Sequence, residues 1–276
     1  MILPKSRRLK FIFYPYTIMT EKKNILLCGY WNIWQRMYPE YKALGDVDVY
    51  DPNVLGVIND FSKIKDKYDF AILCLPTPTT DWYCDTSVVI QMIDRLHNIA
   101  DVIVVRSTVP VWFTKEAMIK YGNVIFCPEF YWTTQHQAKN DYLILWGRRD
   151  LCNKYAQLYY NVKSADFKIK FYDDSSTAEM IKYMENCFLA TKVVFCNSFA
   201  LACKSAGIEY DDVREWFLMD ERMNPSHTIA YEWQPYYDSH CFNKDIPAFA
   251  NQFDDEFMKA VDEINSRRKY LFHKYS

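Results

Sequence analysis

The sequence predicts an α/β protein: an N-terminal Rossmann-like, doubly wound, mostly parallel sheet, followed by an all-helical region with one long central helix. Three observations carry that prediction. Short, nearly continuous apolar runs recur through the first two thirds of the chain with loop or helical material between them, as strands buried on both faces require. The first two runs flank a helix-like stretch and the second closes on an acid, Asp51. Beyond Phe171 such runs stop, and a stretch without Pro or Gly reaches Ala206 with apolar residues at helical spacing.

Taken in order, residues 1–22 read as an N-terminal extension. MILPKSRRLKFIFYPYTIM imitates a secretory leader, but Pro15 and two tyrosines interrupt its apolar run and no small-residue cleavage site follows. The run is also too short to span a bilayer, so no membrane partner is expected. The first strand is NILLC (24–28), ending at Gly29, and an amphipathic helix runs to Leu44. Gly45 breaks the chain and VDVY (47–50) forms the second strand. FAILCL (70–75), VIVV (102–105), VIF (124–126) and YLILW (142–146) supply the rest, giving a cofactor domain over 23–172. The helical domain, 173–276, opens at SSTAE (175–179), where Ser176 is the expected N-cap and Glu179 the reciprocal partner of a capping box. Gly207 is a natural stop. Tyr210–Met219 is expected as a second helix and Ile246–Tyr275 as a third.

Composition narrows the function classes. Of 276 residues, half are hydrophobic and 25% charged, ordinary for a soluble globular chain. A formal charge of −2 with scattered basic residues gives no case for nucleic acid as partner. Nine cysteines without a CxxC pair or a Cys/His group at zinc spacing point to reduced thiols, no metal and a cytoplasmic setting.

A strand, a turn, a helix and a second strand ending in an acid is the dinucleotide-binding layout, with Asp51 placed to accept the ribose hydroxyls of NAD. The turn CGYWNIW keeps only the middle glycine, Gly29, with Leu27 and Asn32 at the outer positions. On residues alone, a cofactor turn through Gly29, Tyr30 and Trp31 and an ordinary α/β turn both stay open. Cys241 poses a similar alternative: a reactive thiolate beside Lys244 and Asp245, or one more small apolar residue.

Five stretches in order decide between them: LCLPTPTTD (73–81), RSTVPV (106–111), CPEF (127–130), EMIKYMENCFLATKVVFCNSFA (179–200) and HCFNKDI (240–246). With the turn at Gly29 and DERM (220–223), they resemble the UDP-glucose/GDP-mannose dehydrogenase family from about Lys23 to the mid-250s. The resemblance implies NAD-dependent, metal-free oxidation of a nucleotide-sugar primary alcohol to the acid, with two NAD⁺ consumed. Cys241 matches the family's nucleophile, which holds the aldehyde as a thiohemiacetal and releases acid from a thioester. The thiolate this needs implies a depressed pKa for Cys241. Lys182 and Asn186, four apart on one helix face, match the oxyanion-stabilising ammonium and its helper amide. Thr108 and Glu129 match the residues that organise the catalytic water, and Asp245 the one that orients that water or the lysine. Lys244 is expected toward the cofactor phosphates, and Pro76 and Thr77 along the nicotinamide side. Phe130 and Arg222 complete the substrate contacts, Arg222 reaching a neighbouring subunit across a homodimer built on the long helix.

The sequence departs from the family's pattern in three places. The chain ends soon after the helix following Asp245, where relatives continue into a second nucleotide-binding domain, so a partner supplying that domain is an expectation. EWQPYYDSH (232–240) replaces a glycine-rich loop, and YWTTQ (131–135) replaces small residues and a second acid. Two alternatives follow: a catalytically degenerate dimeric binding or scaffold relative, and a 6-phosphogluconate/β-hydroxyacid-type dehydrogenase, which uses Lys and Asn without a covalent step.

Overall fold

The structure is a computed structural model that describes residues 22–29, 33–130, 142–160, 162–163 and 166–275, with backbone only at 33–36. The expected extension lies outside these residues save for Lys22, as do Tyr30, Trp31, Asn32 and the YWTTQ stretch.

Seven strands form one sheet: β1 (Lys23–Cys28), β2 (Gly45–Tyr50), β3 (Tyr68–Leu73), β6 (Ala100–Val105), β7 (Val124–Phe126), β8 (Tyr142–Trp146) and β9 (Lys168–Tyr172). Their spatial order is β2-β1-β3-β6-β7-β8-β9, parallel except where β8 meets β7. A separate hairpin, β4 (Thr79–Thr80) and β5 (Tyr83–Cys84), stands beyond the end of β3. The helices between strands are α1 (Ile33–Leu44), α2 (Ser87–Leu96), α3 (Phe113–Tyr121) and α4 (Arg149–Tyr160).

The alternation along each strand explains why the runs are continuously apolar. Leu26 and Cys28 pack with α2 residues such as Val89 and Ile93 in one layer, while Ile25 and Leu27 pack with Met37, Tyr41 and Tyr155 in the other. Each buried Leu or Ile contributes about 1.5–3 kcal/mol, so both pleat faces must be apolar.

Beyond β9 the chain is helical: α5 (Ser175–Ala206), α6 (Tyr210–Phe217), α7 (Phe242–Gln252) and α8 (Glu256–Tyr275). Cys187, Ala190 and Val194 of α5 close a third core with Phe242, Ile246 and Ala250 of α7 and Met258 and Val261 of α8.

Four local expectations are corrected. Asp174, not Ser176, caps α5, its carboxylate accepting from the Ser176 backbone N–H. Glu179 serves another helix: its carboxylate accepts from the Trp112 N–H at 2.6 Å and from the Thr114 N–H and hydroxyl at 2.9 and 2.6 Å, at the start of α3. The final helical stretch begins at Phe242 and is two helices, broken where Asp254 takes φ 50° and Asp255 caps α8 through the Met258 N–H. β9, KIKFY, had no strand expectation because an edge strand buries too little to show a continuous apolar run.

Candidate active site

The site assembles at the C-terminal ends of the parallel strands, where open α/β sheets bind ligands. At the end of β1, Gly29 has φ +95° and donates its N–H to Tyr50 O at 2.9 Å. A Cβ there would lie 2.4 Å from the Cys74 carbonyl oxygen, so only glycine lets the β1 turn pass the end of β3. Asp51 follows directly after β2, buried, with Oδ1 accepting from the Asn53 N–H at 2.9 Å.

The loops after β3 and β6 are stitched together. Leu75 N–H donates to Ser107 Oγ at 2.8 Å and the Ser107 hydroxyl donates back to Leu75 O at 2.8 Å. Thr77 donates to Thr108 O at 2.8 Å, and both threonines are buried. Pro76 beside them is exposed. Onto this double loop comes the first turn of α7, begun by Ser239, whose hydroxyl accepts from the Phe242 N–H at 3.0 Å. Lys244 on that turn donates to Thr77 Oγ1 at 3.2 Å and pairs with Asp245 at 2.5 Å. Its ammonium, expected toward the cofactor phosphates, here engages the loop after β3 and Asp245.

Asp245 in turn accepts from the Asn186 amide at 2.6 Å, tying α7 to α5. One turn earlier on α5, Lys182 is buried, pairs with Glu185 at 3.1 Å, and lies 5.0 Å from the centre of the Phe130 ring. Burial acts to lower its pKa, but Glu185, Glu129, Cys241 and Asp245 outweigh that and hold the ammonium above its ordinary value. Glu129 is also buried: desolvation raises its carboxyl, with Lys182, Arg106 and Lys244 opposing and Glu185 adding to the rise.

Cys241 sits at the N-cap of α7, immediately before its first turn, and is partly buried. Desolvation and Asp245 raise its thiol, while Lys182 and Lys244 pull it down without prevailing. The depressed pKa expected of it is therefore absent from the unliganded chain. His240 is shifted down by desolvation and then by Lys244, so it adds no fixed cation at neutral pH.

The structure thus brings Cys241, Lys182, Asn186, Asp245, Lys244, Thr77, Thr108, Glu129 and Phe130 into one neighbourhood. Arg222 stays outside it, exposed and forked onto Asp220 at 2.5–3.1 Å. Two participants had no expectation. Glu185 is three residues from Lys182, an ion-pair spacing readable in the sequence. Arg106 heads the RSTVPV stretch and is buried, donating to the Tyr41 and Tyr155 hydroxyls at 3.0 and 3.3 Å. Its tyrosine partners lie 65 and 49 positions away, so no local pattern reveals them.

Known proteins resemble this chain in sequence and in fold. Residues 176–267 match the central domain of the UDP-glucose/GDP-mannose dehydrogenase family. The chain is 28% identical over 231 residues to the UDP-glucose 6-dehydrogenase of Campylobacter jejuni, covering 75% of this chain and 56% of that protein. It is 26% identical over 253 residues to the UDP-N-acetyl-D-mannosamine dehydrogenase of Methanococcus vannielii, covering 82% and 56%. The chain thus spans about half the length of the curated relatives it matches. A UDP-glucose dehydrogenase structure from the hyperthermophilic archaeon Pyrobaculum islandicum shares the fold, with a TM-score of 0.73 at 19% identity over 92% of this chain and 70% of that one. Residues 176–267 thus carry the central domain of the UDP-glucose/GDP-mannose dehydrogenase family, and the chain around them is similar in sequence to members of that family and shares their fold.

Proposed function

We propose that this chain is an NAD-dependent nucleotide-sugar dehydrogenase that oxidises a sugar C6 primary alcohol to the carboxylate, of the UDP-glucose to UDP-glucuronate type, with Cys241 as covalent nucleophile. The observation that carries this reading is the continuous polar chain Thr108–Thr77–Lys244–Asp245–Asn186, which links two strand-end loops to α7 and α5 beside Cys241 and Lys182. A solvated helix face would leave Lys182 and Asn186 exposed; both are buried and paired.

The residues present fit a dinucleotide. The Gly29 turn, packed close over the end of β3, brings backbone to the C-terminal end of β1 where a pyrophosphate would lie, and Asp51 lies one residue beyond the backbone partner of Gly29, where it suits ribose hydroxyls. NAD⁺ bound there supplies the hydride acceptor for both oxidations. The chain's own residues do the rest. Glu129, with Thr108, holds the water that takes the alcohol proton. Lys182 places a positive charge at the substrate oxygen as negative charge develops there, and its ammonium state is secured by Glu185 and Glu129. Cys241 attacks the aldehyde carbon to give a thiohemiacetal, and the thioester formed on its oxidation is hydrolysed by water at Glu129. Asp245 anchors Asn186 and Lys244, fixing the α7 turn that carries the thiol.

Residues 23–172 make up the cofactor half in this reading and 173–276 the catalytic and dimerising half, in a cytoplasmic homodimer. NAD⁺ with UDP-glucose is expected to give two NADH per sugar. Cys241→Ala is expected to abolish acid formation while calorimetric NAD⁺ affinity stays unchanged. Undiminished acid from that variant would sink the covalent step, and a wild type that binds neither NAD⁺ nor nucleotide sugar would sink the enzyme reading.

A further inference from the structure

The hairpin β4–β5 breaks a local rule beside the candidate site. Thr80 pairs with Tyr83, so the loop is two residues, Asp81 and Trp82, with φ 50° and 67°. Positive φ at both central positions is the type I′ turn, which favours Asn-Gly or Asp-Gly. A tryptophan in the second position is strained by its Cβ. Strain of this kind persists where something else holds the residue or uses it.

The structure distinguishes these two cases. Trp112 also has positive φ, 78°, but its ring lies 6.3 Å from that of Phe253 and its N–H is bound by Glu179, so it is held. Trp82 is 44% exposed against 50% for Trp112, so exposure does not separate them, but no ring packs against Trp82 among the described residues.

The position of the hairpin suggests a use. It leaves the C-terminal end of β3, next to β1, where the strand order reverses and ligands of open α/β sheets bind. It is fastened to the catalytic turn: Thr79 donates to Lys244 O at 2.5 Å, and Cys84 stands against Thr77 under the influence of Lys244 and Asp245. The tip therefore projects from a base rigidly tied to the site. Tyr83 beside it is 70% exposed, which extends the apolar edge.

We propose that Trp82 stacks on the planar base of a nucleotide bound in the crevice between β1 and β3. The proposal rests on the dehydrogenase reading, which makes nucleotides the ligands, and a base from either the dinucleotide or the sugar nucleotide offers the same flat π face. Stacking on an aromatic side chain contributes enough to change affinity about tenfold.

Trp82→Gly separates use from structure, because it installs the preferred Asp-Gly turn. Its thermal midpoint is expected at or above wild type while affinity falls about tenfold for one ligand, measured by calorimetric titration with NAD⁺ and, separately, with UDP-glucose. The titration that weakens identifies which base stacks. Trp82→Phe, which keeps a ring, is expected to retain most of the affinity. Unchanged affinity for both ligands in Trp82→Gly overturns the stacking role alone. A wild type that binds neither ligand overturns the proposed function and this inference with it.

Discussion

Cys241 is set between opposing influences. Burial and the Asp245 carboxylate keep it a thiol, while Lys182 and Lys244 pull it toward thiolate. Its reactivity in the unliganded chain should therefore be low at neutral pH and rise continuously past pH 9, since a raised pKa means less thiolate at every lower pH. Alkylation by iodoacetamide, followed on the Cys241 peptide by mass spectrometry, should show this, and Lys182→Met should slow it about tenfold by removing a cation that favours the thiolate. Rapid alkylation at pH 7 in both proteins would contradict the electrostatics. The same residue marks how far a sequence reading reaches. Cys241, Lys182 and Asn186 are visible through their spacing and order, but the Asn186–Asp245 bond spans 59 positions and exists only because α5 and α7 cross. Likewise the sequence reveals cationic neighbours of the thiol but not its desolvation, which is a property of the packed site and here outweighs them.

Among the elements, α5 is held to the sheet region by Glu179, whose carboxylate satisfies orphan N–H groups at the start of α3. Desolvation nonetheless pushes its pKa up to about 6, with the Thr114 and Trp112 hydrogen bonds opposing. A folded-state value above the ordinary 4.5 means folding favours the protonated acid. Its contribution is complete below about pH 4.5 and is lost as pH rises through 6. The stability difference between wild type and Glu179→Gln, from urea melts at pH 4.5 and pH 8, should therefore shift by about 1–2 kcal/mol against the wild type at the higher pH. A pH-independent difference would mean the three donated hydrogen bonds win over burial. SSTAE reads as a capping box because Ser and Glu stand at the right interval, yet Asp174 and α3 take those roles. Central strands were legible since both pleat faces are apolar; β9 and the β4–β5 hairpin were not, being half-exposed or only two residues long.

The whole molecule presents α5 in two ways. One side carries Lys182, Asn186 and Asn197, buried against the rest of the chain. Another exposes Met184, Phe188, Phe195 and Phe199, at helical spacing along one stripe, with the last two rings 4.9 Å apart. The helix is long and apolar enough to cross a membrane, but in lipid the Lys182–Glu185 pair would have to enter the hydrocarbon and the Asn186–Asp245 bond to α7 would break, leaving Asp245 without that partner. A second copy of the chain would cover the same stripe at no such cost. Between about half and three quarters of each side chain is still exposed, so at 150–250 Å² per fully buried Phe the three rings offer about 250–400 Å² per protomer, the apolar centre of the roughly 800 Å² per partner that a stable complex needs. Sedimentation equilibrium at micromolar concentration should then give a dimer, with a thermal midpoint that rises with protein concentration. Phe188→Asp combined with Phe195→Asp should yield a folded monomer, because both side chains are more than half exposed within one chain. A wild type that sediments as a monomer, with a midpoint independent of concentration, would remove the dimer and leave the stripe without this partner.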